Sequence, residues 1–169
     1  MGLNEKKNRI FVFFILLLGG MLIFINLSNM YLWQDEASVA FLGRNVLKFG
    51  YPLIYDGKNV ATNSPIDRLD YDYKHAYINT QTWLEYYVVA FSFLLFGVNT
   101  FAARFPFALF GLGTIIISYL LFLKINSNKT IARISVILLI FSVPFLLHVR
   151  QVNYYALSIF LASGFFMPM

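Results

Sequence analysis

The chain alternates long apolar runs with short polar segments, and this pattern predicts a helical membrane protein. The first run, Ile10 to Met30, contains no charge over 21 residues, which is enough helix to cross a bilayer at about 1.5 Å per residue. Later runs predict further spans, and Pro144 predicts a kink in the third. The predicted fold is all-α and polytopic, with about four transmembrane helices over residues 10–30, 105–123, 131–147 and 156–169, the last one incomplete.

Residues 31–104 separate the first two predicted spans, and we expect them to form an outer loop with short helices at the membrane surface. Within this loop, residues 35–49 fit an amphipathic helix with one apolar stripe. Residues 82–96 are apolar but include Glu85, and 15 residues are fewer than a span usually needs. We therefore expect residues 82–96 to form a juxtamembrane helix in the outer interface.

Composition and charge support a membrane protein and predict its orientation. Hydrophobic residues make up 59% of the 169 residues and charged residues 12%, with a mean hydropathy of +0.68. The net charge is +5, but the basic residues lie at the ends of apolar runs, so we exclude nucleic acid as a partner. Lys6, Lys7 and Arg9 precede the first span, which predicts a cytoplasmic N-terminus and an outer-face loop in a multi-pass plasma membrane protein.

The adjacent acids Asp35 and Glu36 directly follow the first run and allow two interpretations. In a structural interpretation, Asp35 caps the following helix and Glu36 favours the positive end of the helix dipole. In a functional interpretation, one carboxylate acts as a general base on an acceptor hydroxyl, or holds a divalent cation (Mg or Mn) against a lipid phosphate. Neighbours on a helix point about 100° apart, so a single substrate atom faces only one of the two.

A second polar cluster, residues 148–155, follows the third predicted span and is expected on the same side of the membrane as Asp35. Arg150 in this cluster suits a bidentate contact with phosphate. Glu85 is either an interfacial charge that points to water or a group that faces the site. Arg104 is expected to anchor the outer end of the second span and to extend to lipid headgroups.

Three stretches of the chain, in this order, resemble the polyprenyl-phosphate-dependent glycosyltransferases of the GT-C superfamily. They are LWQDEASVAFLGRNVLKFGYP from residue 32, WLEYYVVAFSFLLFGVNTFAARFPFALFG from residue 83, and LLHVRQVNYYALSIFLASGFF from residue 146. The likeness is to the N-terminal part of the family 39-like branch, which includes protein O-mannosyltransferases and the aminoarabinose transferase that acts on lipid A. Its most specific element is the acidic pair followed by the signature FG-x-N-x-F-x-x-R-x-P at residues 96–106.

The resemblance implies an enzyme that moves a sugar from a polyprenyl-phosphate carrier to a protein, lipid or glycan acceptor at the outer face, with inversion. Asp35 corresponds to the family's base or metal-proximal carboxylate, with Glu36 as its partner. Many members have an acid in the second outer loop where this chain has Tyr155, which leaves Arg150, Tyr154 and Tyr155 for the lipid phosphate or sugar. The alternative is a truncated, non-catalytic membrane protein that retains only the family's first helices.

Overall fold

A computed structural model describes residues 3–59, 71–72, 77–78, 83–126 and 128–166. These residues are mainly helical, as the sequence predicts, with one short antiparallel strand pair in the polar loop that pairs Tyr71 with Ile78. In chain order the elements are α1 (Leu3–Phe24), α2 (Gln34–Phe49), β1 (Tyr71–Asp72), β2 (Tyr77–Ile78), α3 (Leu84–Phe96), α4 (Thr100–Asn126), α5 (Lys129–Ile140), α6 (Val143–Val149) and α7 (Tyr154–Phe165).

Within the described ranges, two helices are long and apolar enough to cross a membrane, Glu5–Phe24 in α1 and Thr100–Ile125 in α4. A third candidate span consists of α5 and α6 together, which are bent by 64° at the break between them. The break confirms the predicted kink, because Ser142 caps α6 and Pro144 lies in its first turn. The predicted fourth span is not confirmed, since α7 has 12 residues and residues 167–169 lie outside the described part.

The chain divides into two compact units. Unit 1 contains the described residues of 1–27, 107–151 and 155–169, and unit 2 those of 28–106 and 152–154. In unit 1, a Cβ added to Gly111 of α4 would lie 2.6 Å from the Val149 Cβ of α6, and one added to Gly113 would lie 2.6 Å from the Phe160 ring of α7. Glycine at these positions therefore lets the apolar helices approach closely.

Unit 2 is built on the packing of α2 against α3. The predicted amphipathic helix is confirmed, because Val39, Leu42 and Val46 are buried on one face of α2. Gly43 lies where the two helices meet, since a Cβ there would be 2.7 Å from the Val89 Cγ1 of α3. This close approach fixes α2, and with it the acidic pair at its start, on α3.

The first turns of α4 also belong to unit 2 and are tied to α3. Asn99 caps α4, because its Oδ1 accepts the Ala102 N–H at 2.8 Å. Pro106 lies inside the helix and has no N–H, so the Ala102 carbonyl four residues earlier lacks its usual helical donor. The Ser92 hydroxyl of α3 donates to that carbonyl at 2.6 Å. A side chain of α3 thus replaces the bond that the proline removes.

Candidate functional site

The centre of unit 2 is the buried carboxylate of Glu36, which is the third residue of α2 and 1% exposed. It accepts the Trp33 N–H at 3.3 Å, so it satisfies one of the unpaired N–H groups at the start of the helix. The Trp33 side chain gives no bond in return, because an indole N–H is only a donor. Glu36 therefore closes the beginning of α2 by itself.

Arg104 of α4 is the counter-charge of this carboxylate. Its Nε donates to Glu36 Oε1 at 2.9 Å and its Nη2 to Oε2 at 2.6 Å, and the guanidinium also donates to the carbonyls of Met30 and Tyr31. The Arg104 side chain is 11% exposed, so the prediction that it extends to lipid headgroups is wrong. The buried acid holds it inside, because a buried charge without a partner is costly.

The same carboxylate also holds part of the second polar cluster. The Val152 N–H donates to Glu36 Oε1 at 3.0 Å, and Val152 is fully buried. Two residues further on, the Tyr154 N–H makes a hydrogen bond to the Glu85 carboxylate. Of the predicted site residues, unit 2 thus brings Glu36, Glu85 and the Tyr154 backbone into one hydrogen-bonded arrangement, and Asp35 adjoins it along the chain.

Asp35 has a different environment from its neighbour Glu36. Its side chain is half-buried, and among the described residues its carboxylate has no hydrogen-bond or ion-pair partner. The N-cap of α2 is Trp33, so the capping role predicted for Asp35 is wrong, although both acids lie in the first turn, where the helix dipole favours them. Asp35 is the acid of this pair that remains accessible.

Glu85 is buried at the start of α3, with 4% exposure, so the alternative in which it points to water is wrong. Burial raises the pKa of Glu85 to about 7, and the hydrogen bond from the Tyr154 N–H opposes part of that rise. Its Oε2 is buried without a hydrogen-bond partner in the described part of the chain. A carboxyl group with a pKa near neutral can both take up and release a proton close to neutral pH.

Arg150 and Tyr155, which the sequence also predicts as site residues, belong to unit 1. The Arg150 guanidinium donates to the carbonyls of Leu22 at 3.3 Å and Ile25 at 2.6 Å, at the end of α1 where helical carbonyls lack partners. A guanidinium has five N–H groups, so these two bonds leave three. The Tyr155 ring lies 4.7 Å from the His148 ring, centroid to centroid.

A divalent cation at Asp35 would need additional oxygen ligands. Within the ranges that the structure describes, no three His, Cys, Asp or Glu side chains come together as a group that could hold a metal ion. Mg²⁺ is usually held by one or two carboxylates together with substrate phosphates and water. A cation at Asp35 would therefore depend on oxygen ligands from the substrate and from water.

The sequence analysis did not predict the role of two residues that hold the site together, Val152 and Arg104. Val152 contributes through its backbone N–H, and no residue type reveals such a role. Arg104 is the arginine of the signature at residues 96–106. Its place in that signature, 68 residues after Glu36, was the feature of the sequence that could have predicted an ion pair between the two.

Comparisons with known proteins give one distant relative. No family model and no solved structure matches the chain. The chain is similar to an uncharacterized protein of Aquifex aeolicus (strain VF5), with 29% identity over 135 residues, which are 78% of this chain and 23% of the relative. The chain spans about a quarter of the length of that relative.

Proposed function

We propose that the chain is the N-terminal part of a membrane glycosyltransferase that takes a sugar from a polyprenyl-phosphate carrier at the outer face of the membrane. The proposal includes four spans and a cytoplasmic N-terminus. It is supported by the ordered motifs at residues 32–52, 83–111 and 146–166, whose charged members hold defined positions in the fold. The acceptor is a protein, lipid or glycan hydroxyl.

The observation that carries the proposal is the hydrogen bond from the Val152 N–H to Glu36, at 3.0 Å. It joins the polar segment after the first span to the polar segment after the third, 116 residues later. Two segments that meet in this way face the same aqueous compartment if each follows an outward span. A site for a phosphate-linked sugar requires this meeting, because the base and the groups that bind the phosphate come from different segments.

In the proposed mechanism, Asp35 accepts the proton of the acceptor hydroxyl as that oxygen attacks the anomeric carbon, and the bond to the lipid phosphate breaks with inversion. Glu36 and Arg104 do not touch the substrate in this mechanism, and they position Asp35 at the start of α2. Arg150 binds the departing phosphate with the N–H groups that the α1 carbonyls leave free. Tyr154, Tyr155 and Glu85 are the further residues of this proposal that bind the sugar or phosphate.

The juxtamembrane assignment of α3 is part of the same proposal. One face of α3 packs on α2, while the other leaves Phe91 63% and Leu94 70% exposed. Such a helix suits the boundary between headgroups and acyl chains, with its exposed face in the lipid. In this position α3 holds the start of α2, and therefore Asp35, at the level of the lipid phosphate.

The test is Asp35→Asn in the full-length protein, reconstituted with a polyprenyl-phosphate sugar and an acceptor. We expect turnover to fall at least a hundredfold, the usual effect of removing a general base, while membrane insertion and thermal stability stay unchanged. Asp56→Asn is the matched control, because Asp56 is an acid of the same unit that pairs with Arg44 instead. Retained turnover in Asp35→Asn would remove Asp35 from the mechanism.

The proposed topology has a separate test that uses the absence of cysteine from the chain. Single cysteines at Ala37 and Asn153 should both react with a membrane-impermeant maleimide added outside intact cells. A cysteine at Lys7 should react only after the cells are opened. Labelling of positions 37 and 153 from opposite sides contradicts a shared site, whatever the activity measurement gives.

A further inference from the structure

A groove of about 490 Å³ lies between α1 and α4 in unit 1, outside the proposed catalytic residues. Its walls are mostly aliphatic and aromatic, and its polar groups gather at one end, near the start of α1. The residues that mark its extent are Asn8, Arg9 and Leu16 of α1 and Ile115, Tyr119 and Leu123 of α4. Both helices are candidate spans, so the groove opens toward lipid.

The polar end of the groove is built by hydrogen bonds across three helices. The Tyr119 hydroxyl donates to Asn8 Oδ1 at 2.7 Å, and Arg133 Nη2 of α5 donates to the same oxygen at 3.1 Å. The Arg133 guanidinium also lies 5.0 Å from the centre of the Phe11 ring. These contacts hold α1, α4 and α5 together and fix the shape of the groove at this end.

Arg9 also lines the groove, but its charge takes no part in these contacts. It is exposed, and among the described residues it has no hydrogen-bond or ion-pair partner. Lys6 and Lys7, both exposed, precede it on α1, and Glu5 is the acid nearest to them in sequence. The end of the groove therefore combines a structured apolar wall with a cation that lacks a counter-charge.

The chemistry of the groove suits a lipid better than a helix. Asn8 and Leu16 are separated by about 12 Å along α1 at 1.5 Å per residue, and the wall that leads from the polar end to Leu16 is apolar. A polar or charged end also suits a headgroup, whereas an apolar helix would leave Arg9 unpaired in the interface.

We propose that this groove binds one acyl chain of an anionic phospholipid, with the lipid phosphate on Arg9. Basic pockets between transmembrane helices are suited to such headgroups, because the phosphate supplies the missing charge while the chain covers the apolar wall. The bound lipid fixes α1 on α4 at the end of the bundle that carries Lys6 and Lys7. This inference concerns unit 1 alone and does not depend on the glycosyltransferase proposal.

The experiment uses the full chain in detergent, with native mass spectrometry after incubation with phosphatidylglycerol or phosphatidylcholine. We expect one phosphatidylglycerol to be retained per chain and little phosphatidylcholine. Arg9→Gln should weaken phosphatidylglycerol retention about fivefold, the effect of one basic residue near an anionic lipid. Lys7→Gln is the matched control, since it removes the same charge from a residue that does not line the groove, and it should retain the lipid.

A second pair of variants tests the acyl-chain part of the groove. Leu16→Trp narrows the groove and should reduce retention of phosphatidylglycerol, whereas Phe14→Trp, at an exposed position of α1 outside the groove, should not. Helical circular dichroism verifies that each variant is folded. Equal losses in Arg9→Gln and Lys7→Gln, equal retention of both lipids, or displacement of the lipid by inorganic phosphate alone would each overturn the proposal.

Discussion

The Glu36 carboxylate and the Arg104 guanidinium, 68 residues apart in the chain, meet at two points with N–O distances of 2.9 and 2.6 Å. The carboxylate accepts two further hydrogen bonds, from the backbone of Trp33 and of Val152. Four bonds use the whole acceptor capacity of a carboxylate. This ion pair therefore joins the start of α2, the start of α4 and the segment at residue 152, which are the parts that position Asp35.

Loss of both partners of this pair should be less harmful than the sum of the two single losses. Glu36→Ala should lower the free energy of unfolding by about 3–5 kcal/mol, because it leaves Arg104 buried without a counter-charge. Glu36→Ala with Arg104→Ala should cost less than the sum of the two single changes. Denaturant unfolding in mixed micelles measures these values, and Asp35→Ala, which breaks no hydrogen bond or ion pair among the described residues, serves as the control. Additive losses would show that the two residues are not coupled.

The raised pKa of Glu85 predicts a pH dependence of stability with a defined sign. The folded-state pKa is about 7, above the ordinary value of 4.5, so the folded state binds the proton more tightly than the unfolded chain. The contribution of Glu85 is therefore most favourable below about pH 4.5 and is lost as the pH rises to about 7. The effect comes from burial, and the neighbouring Tyr86, whose pKa burial and the Glu85 charge also raise, reports on the same environment.

Glu85→Gln isolates this effect, because it removes the titrating group and keeps its shape. Above pH 7 the Glu85→Gln variant should have a higher free energy of unfolding than the unchanged protein. This advantage should shrink as the pH falls toward 4.5, and thermal unfolding across that range measures it. Asp56→Asn is a control for which the pH dependence should have the opposite sign. The backbone N–H groups of Asn59 and Lys58 lower the pKa of Asp56, so its contribution is lost only at acid pH. A difference for Glu85→Gln that does not change with pH would contradict the assignment.

The effects of replacing Ser92 and Pro106 on stability should be coupled, because both residues act on the Ala102 carbonyl. Ser92→Ala leaves that carbonyl without a donor and should cost about 1–3 kcal/mol of unfolding free energy. In Ser92→Ala combined with Pro106→Ala, the new backbone N–H at position 106 can donate to the carbonyl, so most of the loss should be recovered. A double-mutant cycle in the same micelles measures the recovery. An equal loss with and without the proline would mean that the carbonyl has another donor.

Local sequence patterns predicted several elements correctly. The stripe with period near 3.6 that contains Val39, Leu42 and Val46 identified α2, because a helix buries such a stripe on whatever it packs against. The run from residue 10 identified α1, although the helix begins at Leu3 and ends at Phe24 and does not continue to Met30 as predicted. Pro144 identified the bend between α5 and α6. The run at residues 156–169 formed the helix α7, but 12 helical residues are too few for a confirmed span.

The sequence by itself determined that the chain is rich in apolar helices, since hydrophobic length and period act within one segment. The placement of its acids was decided by the tertiary structure, because it depends on which distant group meets each carboxylate. Glu36 is buried in an ion pair with Arg104, Glu85 is buried at the start of α3, and Asp35 stays accessible. Adjacent residues of the same chemical type thus received different roles, because burial and counter-charge are properties of the packed fold.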